Sequence, residues 1–284
     1  MDKEQKAIAR LKEAALMSET YYQKPLVVTT SGGKDNDVCI ALALAAGIDF
    51  EAQHNHTTAD APETVYHVRE TFKRLEEKGI KCTINWPTYK GAPVTMWSLI
   101  PQKLMPPTRL VRYCCSILKE GGGAGRMITT GVRWAESAAR KKNRGIYEAG
   151  KTLILNNDND DARRLFENCR LQAKRVCNPI IDWSDQDVWA YIEAEHIETN
   201  PLYKCGFNRV GCVGCPMAGK KGREFEFTRY PTYQRAYIRA FDRMLEERQN
   251  RGLPCDWQAG KDVFHWWMED GALPGQVELE EMEG

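Results

Sequence analysis

A glycine-rich turn near the amino terminus carries residues suited to binding an anion. Ser31–Asp35, with the sequence SGGKD, follows an apolar run at 25–28 and precedes a second apolar run at 38–46. The first run predicts a buried strand, and the second is typical of a helix that Gly47 ends. Backbone N–H groups of such a turn and the helix amino terminus attract an oxyanion, and Lys34 adds a charge suited to phosphate. The spacing differs from that of the nucleoside-triphosphatase P-loop, which ends in Gly-Lys-Ser/Thr.

Cysteines form a second group of residues that could do chemistry. Cys212 and Cys215 enclose a C-x2-C knuckle, Cys205 precedes it, and the tandem pair Cys114-Cys115 lies far upstream. Thiolates bind zinc or iron–sulfur clusters, and the spacing alone does not separate these two kinds of centre. Glycines around the knuckle allow backbone amides to turn toward the sulfurs, so the pattern predicts a metal-binding lobe.

Composition sets further bounds. The chain has 284 residues with 40 Lys and Arg against 39 Asp and Glu, so its net charge of +1 argues against a polyanion-binding role for the whole molecule. No run approaches the roughly 20 apolar residues that a membrane helix needs. The first 24 residues are charged and helical in pattern, unlike a signal peptide. A cytoplasmic protein is therefore predicted, in which ten cysteines favour metal or redox chemistry over disulfides.

Strand and helix patterns alternate along the first half of the chain. An amphipathic helix at 1–22, with Ile8, Leu11, Ala15 and Leu16 on one face, precedes the glycine turn. The other predicted elements are strands at 48–54, 80–86, 126–133, 152–155 and 177–181, and helices at 62–78, within 93–107, at 112–119, 185–192, 224–249 (interrupted near Pro231) and 261–270. The alternation predicts an α/β fold with a doubly wound, mostly parallel sheet. The acidic segment 156–161 is interpreted as a solvated turn, with a metal site as the less favoured alternative.

The glycine turn resembles the PP-loop of the adenine-nucleotide alpha-hydrolase superfamily, and specifically the phosphoadenosine phosphosulfate (PAPS) reductase family. Segment 200–215 fits the N-P-L-h-x-x-G-Y/F-x-x-x-G-C-x-x-C pattern of sulfonucleotide reductases that carry a [4Fe–4S] cluster, and 112–119 is similar to their tandem-cysteine element. Segment 183–189 resembles their W-S-x-x-D-V-W signature. The resemblance covers 26–216 and implies three parts: a nucleotide-binding domain (1–199), a cysteine-rich metal lobe (200–222) and a C-terminal helical cap (223–284).

The same resemblance assigns roles to individual residues. Segment 130–140 looks like the family's T-G-x-R-x-x-E/D-S-x-x-R element, whose arginines hold the anion, and Thr57, Thr58 and Asp60 match a nucleotide-contacting turn at a strand end. The implied nucleotide-binding residues are Ser31, Gly32, Gly33, Lys34, Asp35, Asn36, Thr57, Asp60, Gly131, Arg133 and Arg140, with Lys34, Asp35 and Arg133 as catalytic residues. The candidate metal ligands are Cys114, Cys115, Cys205, Cys212 and Cys215.

The resemblance favours a [4Fe–4S] cluster over zinc. Such a cluster takes four thiolate ligands, and the sequence offers five candidate cysteines. Cys205 departs from the reductase pattern and is similar to a cysteine of the iron–sulfur enzymes of DNA phosphorothioation. The sequence leaves the choice among Cys114, Cys115 and Cys205 open, with a slight preference for omitting Cys114. The remaining cysteines are interpreted as ordinary core or surface thiols: Cys39, Cys82, Cys169, Cys177 and Cys255.

Three functions remain open. The favoured one is ATP-dependent adenylation with release of pyrophosphate, in sulfur transfer or nucleic-acid thiolation; Mg²⁺ and a sulfur-donor or electron-donor protein are potential partners. The alternatives are reduction of adenylyl sulfate or PAPS to sulfite, and a noncatalytic nucleotide or redox sensor. Reductases of this kind use a reactive cysteine in a Glu-Cys-Gly-x-His segment. The sequence around Cys255 lacks this pattern, and the neighbouring Asp256 would raise the pKa of the Cys255 thiol. A nucleic-acid substrate is compatible with basic residues at 133–144 and 220–223, and scattered surface charge explains these residues equally well.

Overall fold

The structure is a computed structural model that describes residues 2–120, 123, 125–149, 153–155 and 175–269. Its elements in chain order are α1 (Lys3–Tyr22), β1 (Leu26–Thr30), α2 (Lys34–Ala45), β2 (Phe50–Asn55), α3 (Pro62–Glu76), β3 (Cys82–Asn85), β4 (Thr88–Tyr89), β5 (Ala92–Pro93), α4 (Met96–Lys103), a π-helical turn (Cys115–Lys119), β6 (Met127–Thr129), α5 (Ala138–Asn143), β7 (Tyr147–Ala149), β8 (Leu153–Leu155), β9 (Arg175–Cys177), α6 (Asp185–Ala194), α7 (Gly219–Arg229), α8 (Pro231–Asn250) and α9 (Gly260–Met268). Short 3-10 turns lie at Trp134–Glu136, Pro201–Cys205 and Pro216–Ala218.

Seven strands form one sheet in the order β3-β2-β1-β6-β9-β7-β8. The first five strands of this order are parallel to one another, and β7 runs antiparallel to both β9 and β8. The predicted α/β fold with a mostly parallel sheet is confirmed. Strand order reverses between β1 and β6, because β2 and β3 lie on one side of β1 while β6 and β9 lie on the other. In open α/β sheets, ligands bind at such a switch point, outside the carboxyl ends of the strands.

The chain divides into two compact units. The first comprises Met1–Asn55, Pro62–Asn85 and Gly121–Val210, and contains the whole seven-stranded sheet. The second comprises His56–Ala61, Trp86–Glu120 and Gly211–Gly284, and contains the β4–β5 hairpin, α4 and the helices from α7 onward. Each unit therefore draws on several separate stretches of sequence.

In the first unit, α1 and α2 pack against the sheet around a core that includes Leu26, Val28 and Leu42. The buried face of α1 is rotated from the predicted stripe: Leu11 is buried, but Leu16 is 51% exposed. Small side chains fill the contact instead, since Ala7 and Ala14 are fully buried. These alanines allow close approach of α1 to its neighbours and displace the larger Leu16 to the surface.

In the second unit, aromatic rings from α7, α8 and α9 form the core. Tyr237 and Trp267 lie 4.8 Å apart between ring centroids, and Phe227 and Phe264 lie 5.3 Å apart. Trp267 is buried in this core, whereas its neighbour Trp266 is half-buried. None of the described helices combines the length and the apolar character that crossing a membrane requires.

Several element boundaries differ from the sequence-based expectation. Helix α2 begins at Lys34 rather than at 38, so the polar residues after the glycine turn form its first turn. The predicted strand at 177–181 is instead a strand at Arg175–Cys177 followed by a turn. The predicted helix at 112–119 contains the π-helical turn Cys115–Lys119. The acidic segment 156–161 lies outside the described residues.

Candidate functional site

Two strand-end loops of the first unit meet at the amino terminus of α2. Residues 31–33 follow β1, and Thr130 and Gly131 follow β6, the neighbouring strand. A Cβ atom on Gly131 would lie 2.9 Å from the carbonyl carbon of Asp35. Glycine is needed at this position because any side chain would collide with the first turn of α2. The two loops thus converge at the switch point of the sheet.

Internal hydrogen bonds fix the glycine turn. Gly32 has a φ of +72°, and a Cβ atom there would lie 2.8 Å from Thr64 Cγ2. The Ser31 hydroxyl donates to Asn36 Oδ1 over 2.8 Å, while Asn36 Nδ2 donates to the Thr29 carbonyl over 2.9 Å. Asn36 therefore ties the turn to the end of β1.

The turn at 200–205 forms hydrogen bonds to the glycine turn and to the first residue of α2. Asn200 is fully buried, and its Nδ2 donates to the carbonyl of Gly32 over 2.9 Å. The Tyr203 hydroxyl accepts a hydrogen bond of 3.1 Å from the Lys34 N–H, and Trp189 packs edge-on against the Tyr203 ring at 5.4 Å. The family pattern in segment 200–215 does not by itself indicate these contacts.

Two buried cations share two carboxylates beside the turn. Lys34 Nζ lies 3.2 Å from Asp35 Oδ1 and 3.1 Å from Asp185 Oδ1. Arg133 donates from Nε to Asp35 Oδ1 over 2.8 Å and from NH2 to Asp185 Oδ1 over 2.7 Å. Lys34 is 5% exposed and Arg133 is 3% exposed. The structure thus brings together the three residues predicted as catalytic and adds Asp185, which the sequence did not reveal.

Electrostatics around these residues favour anions. Partial burial disfavours the charged form of Asp185, but hydrogen bonds from Lys34 and Arg133 outweigh it and lower the pKa of the carboxyl. Burial first, and then repulsion from Arg144, Arg209 and Arg133, lowers the pKa of Arg140. Arg140 pairs with Glu136 on the preceding turn. Guanidinium groups in such proximity favour binding of an oxyanion, which would relieve their repulsion.

Two of the predicted nucleotide-binding residues belong to the second unit. The Thr57 N–H donates to Asp60 Oδ2 over 2.8 Å, which closes the turn between them. Cys212 Sγ lies 3.3 Å from the Thr57 hydroxyl oxygen, and the Val213 N–H donates to the Ala59 carbonyl over 2.8 Å. The turn at 57–60 therefore packs against the cysteine knuckle, and its role in nucleotide binding stays a prediction.

Four cysteines of the second unit interact with one another. The pKa of Cys115 is lowered to about 6, chiefly because the Cys114 thiol donates a hydrogen bond to its thiolate; this contact raises the pKa of Cys114. Cys114 also interacts electrostatically with Cys212 and Cys215. Burial raises the pKa of Cys212 to about 11, and the Lys119 ammonium opposes this effect. Lys119 has a raised pKa, mainly through its attraction to Cys212.

The aromatic core supports the knuckle. Gly214 has a φ of +74°, and a Cβ atom there would lie 2.7 Å from atoms of both Phe227 and Tyr237. The Gly214 N–H donates to Glu226 Oε2 over 2.6 Å, and the Tyr237 hydroxyl donates to the Val213 carbonyl over 3.0 Å. Glu226 and Tyr237 carry no motif in the sequence, and only their position in the folded unit reveals these contacts.

The fifth candidate ligand lies in the other unit. Cys205 is exposed at the end of a 3-10 turn of the first unit. Cys39 and Cys177 are buried, Cys82 is half-buried and Cys255 is exposed, which agrees with their interpretation as core or surface thiols. Cys169 lies outside the described residues.

The sequence profile of the PAPS reductase domain matches residues 25–218, more than half of the chain. The chain belongs to the PAPS reductase domain family. One curated relative is an uncharacterized protein of Methanocaldococcus jannaschii, 29% identical over 220 residues, which are 73% of this chain and 46% of that protein. Another relative is the adenosine 5'-phosphosulfate reductase of Bacillus cereus, 25% identical over 211 residues, with 71% of this chain and 77% of that enzyme covered.

Two solved structures are similar to this member of the PAPS reductase family. The PAPS reductase of Candida auris, in a phosphate complex, gives a TM-score of 0.46 at 16% identity, covering 72% of this chain and 87% of that one. The U34-tRNA thiolase of Methanococcus maripaludis with its [4Fe–4S] cluster gives 0.42 at 15% identity, covering 88% and 83%. The chain spans less than half the length of two M. jannaschii relatives, 46% and 36%.

Proposed function

We propose that this chain is an enzyme that binds an adenine nucleotide with its phosphates at the amino terminus of α2 and transfers the adenylyl group to an acceptor in sulfur chemistry. We further propose that its second unit holds a [4Fe–4S] cluster. The observation that carries the nucleotide proposal is the convergence of Lys34 and Arg133 on one point at the switch point of the sheet. Two buried cations beside a helix amino terminus form an environment suited to phosphate oxygens.

The three residues predicted as catalytic each have a role in the proposed reaction. The acceptor oxygen attacks the α-phosphorus of ATP, the bond to the bridging oxygen breaks, and pyrophosphate leaves with the electron pair. Lys34 and Arg133 stabilise the negative charge that develops on the phosphate oxygens, and Asp35 holds both cations in place. The glycine turn gives the loop its shape, since Gly32 has a φ of +72° and a Cβ atom there would collide with Thr64. Positioning and charge stabilisation supply most of the catalysis in phosphoryl-group chemistry.

The chemistry of the cysteines in the second unit supports the cluster proposal. Cys114, Cys115, Cys212 and Cys215 offer four thiols that interact within one unit, and the Lys119 ammonium offsets part of the thiolate charge. Thiolate is the ligating form, and the lowered pKa of Cys115 favours it. We therefore propose these four ligands, including Cys114, and leave Cys205 out. A cluster bound there would supply electron transfer or an iron centre that binds sulfur.

A second candidate is the reduction of adenylyl sulfate to sulfite. Its support is the similarity to the B. cereus adenosine 5'-phosphosulfate reductase along most of both chains. That reaction requires a reactive cysteine thiolate, and Cys255 is exposed. Cys255 does not lie in a Glu-Cys-Gly-x-His segment, which is why adenylation remains the first proposal.

The test is an assay of protein purified without oxygen and incubated separately with ATP, adenylyl sulfate and PAPS. For adenylation, ATP with RNA, DNA or a small-molecule acceptor yields pyrophosphate and an adenylylated acceptor or AMP, and Cys255→Ser retains this activity. Thiol-dependent sulfite from adenylyl sulfate or PAPS, abolished in Cys255→Ser, would establish the reductase instead. Nucleotide binding without any of these products would make the protein a sensor, and absence of nucleotide binding would refute the nucleotide site.

A further inference from the structure

Asp185 is the most exposed member of the charged cluster beside the glycine turn. Its side chain is 70% exposed, whereas those of Lys34 and Arg133 are 7% and 3% exposed. One oxygen, Oδ1, accepts from both cations, at 3.1 Å from Lys34 Nζ and 2.7 Å from Arg133 NH2. The position of this oxygen therefore marks the point on which both cations direct a donor.

Both cations keep other partners that do not depend on Asp185. Arg133 also donates from Nε to Asp35 over 2.8 Å, and its NH1 lies 3.4 Å from the Trp183 carbonyl oxygen. Lys34 also contacts Asp35. If the Asp185 carboxylate swung away, each cation would stay in place and present one donor to the same point.

The helix that carries Asp185 begins without help from its side chain. Asp185 is the first residue of α6, and the cap is formed by Ser184 and Asp187, which exchange hydrogen bonds in a capping box. The described hydrogen bonds of the Asp185 carboxylate are those from Lys34 and Arg133. Moving this side chain into water therefore disrupts two ion pairs but leaves the helix intact.

We propose that Asp185 is a specificity-determining residue: its carboxylate occupies the oxyanion position of the nucleotide site and must be displaced by the phosphate of an incoming ligand. This inference rests on the proposed binding of nucleotide phosphates by Lys34 and Arg133. Every ligand incurs the same cost for displacing the carboxylate. A polyphosphate nucleotide recovers it through further contacts, whereas inorganic phosphate or sulfate has few contacts and is excluded.

The test compares Asp185→Asn with wild type by calorimetry in buffers free of phosphate and sulfate, using ATP, inorganic pyrophosphate and inorganic phosphate as ligands. Asp185→Asn removes the internal anion, so the affinity for ATP and pyrophosphate rises by about tenfold, and inorganic phosphate binds measurably. Glu195→Gln makes the same change of charge at the exposed residue that follows α6 and serves as the matched control. It leaves these affinities unchanged.

The sign of the change decides the inference. If Asp185 instead organises the cations for the ligand, Asp185→Asn weakens binding, and that result or an unchanged affinity would overturn the proposal while leaving the nucleotide site intact. If neither wild type nor variant binds ATP or pyrophosphate, the proposed function fails and this inference fails with it. Circular dichroism checks that Asp185→Asn is folded. If it is not, Asp185→Ala is used as the second variant.

Discussion

The Tyr203 hydroxyl accepts a hydrogen bond from the backbone N–H of Lys34, over 3.1 Å, at the first residue of α2. Gly33, which precedes the helix, has no side chain to cap it, so Tyr203 supplies the acceptor from elsewhere in the first unit. Burial raises the pKa of Tyr203 to about 12, which keeps the hydroxyl protonated across the physiological range. A residue distant in sequence thus caps the amino terminus of α2.

Removing this hydroxyl should destabilise the ligand-free protein. We expect Tyr203→Phe to lower the free energy of unfolding by about 0.5 to 1.5 kcal/mol, the net value of one hydrogen bond. The midpoint of urea unfolding measures the effect. Tyr66→Phe, at a tyrosine that is 66% exposed, is the control and should leave the midpoint unchanged. Equal midpoints for both variants would show that the Tyr203 contact contributes nothing.

Removing the Lys34 ammonium should weaken nucleotide binding. A hydrogen bond to a charged group contributes about 1.5 to 3 kcal/mol, so Lys34→Ala should lose roughly one to two decades of affinity. Calorimetry with ATP and with adenylyl sulfate checks this, and the exposed Lys78→Ala is the matched control. An unchanged affinity in Lys34→Ala would remove the phosphate-binding role of the turn.

The iron content of cysteine variants can show which cysteines bind the cluster. Protein prepared without oxygen should contain about four irons and four sulfides per chain and be brown. Serine at Cys114, Cys115, Cys212 or Cys215 should lower the iron content and the colour, whereas Cys205→Ser should retain both. Cys255→Ser is the control for loss of an exposed thiol. Loss of iron in Cys205→Ser but not in Cys114→Ser would reverse the proposed choice, and one zinc in a colourless protein would refute the cluster.

Gly214 should tolerate no side chain. Alanine there faces two costs: a positive φ, which disfavours L-residues by about 1 to 2 kcal/mol, and overlap with Phe227 and Tyr237, which adds about 1 to 3 kcal/mol. Gly252 has a φ of +65° with open space around its Cα, so Gly252→Ala isolates the first cost. Thermal unfolding should show Gly214→Ala to be the less stable variant. Similar melting temperatures for the two variants would mean that the aromatic side chains rearrange to accommodate the added methyl group.

Stability should fall at acidic pH through Asp187. Hydrogen bonds from Lys3 first, and then from Ser184, lower the pKa of Asp187 to about 2, below its unfolded value of about 3.9. Because the folded-state pKa is depressed, this stabilisation is present above about pH 4 and is lost as pH falls toward about 2. Urea unfolding across this range should show a smaller pH dependence for Asp187→Asn than for wild type. The exposed Asp49→Asn is the comparison, and identical slopes for wild type and Asp187→Asn would contradict the assignment.

Local patterns in the sequence predicted the glycine turn well. The strand before it, the turn itself and the helix after it lie within about 20 consecutive residues, so hydrophobic runs and glycine positions suffice to identify them. The same holds for the cap of α6, where Ser184 and Asp187 are three residues apart. The parallel sheet followed from the alternation of such units.

Contacts between distant segments could not be predicted in this way. Asp185 occupies a variable position of its signature, and only folding of the chain brings its carboxylate to Lys34. Tyr203 and Glu226 likewise act on backbone groups that no spacing rule connects to them. The exposure of Leu16 has a similar origin, because periodicity indicates that a helix has an apolar face but does not determine which side chains its partners admit.

The second unit is assembled from chain stretches that are synthesised at different times. Its first two thiols, Cys114 and Cys115, emerge about 100 residues before Cys212 and Cys215. At a translation rate of roughly 5 to 20 residues per second, the first pair waits for about 5 to 20 s without its partners. Closing so long a loop also delays the contact in the released chain. During biosynthesis, the tandem thiols are therefore open to oxidation or to binding of other metals until Cys212 and Cys215 have been made.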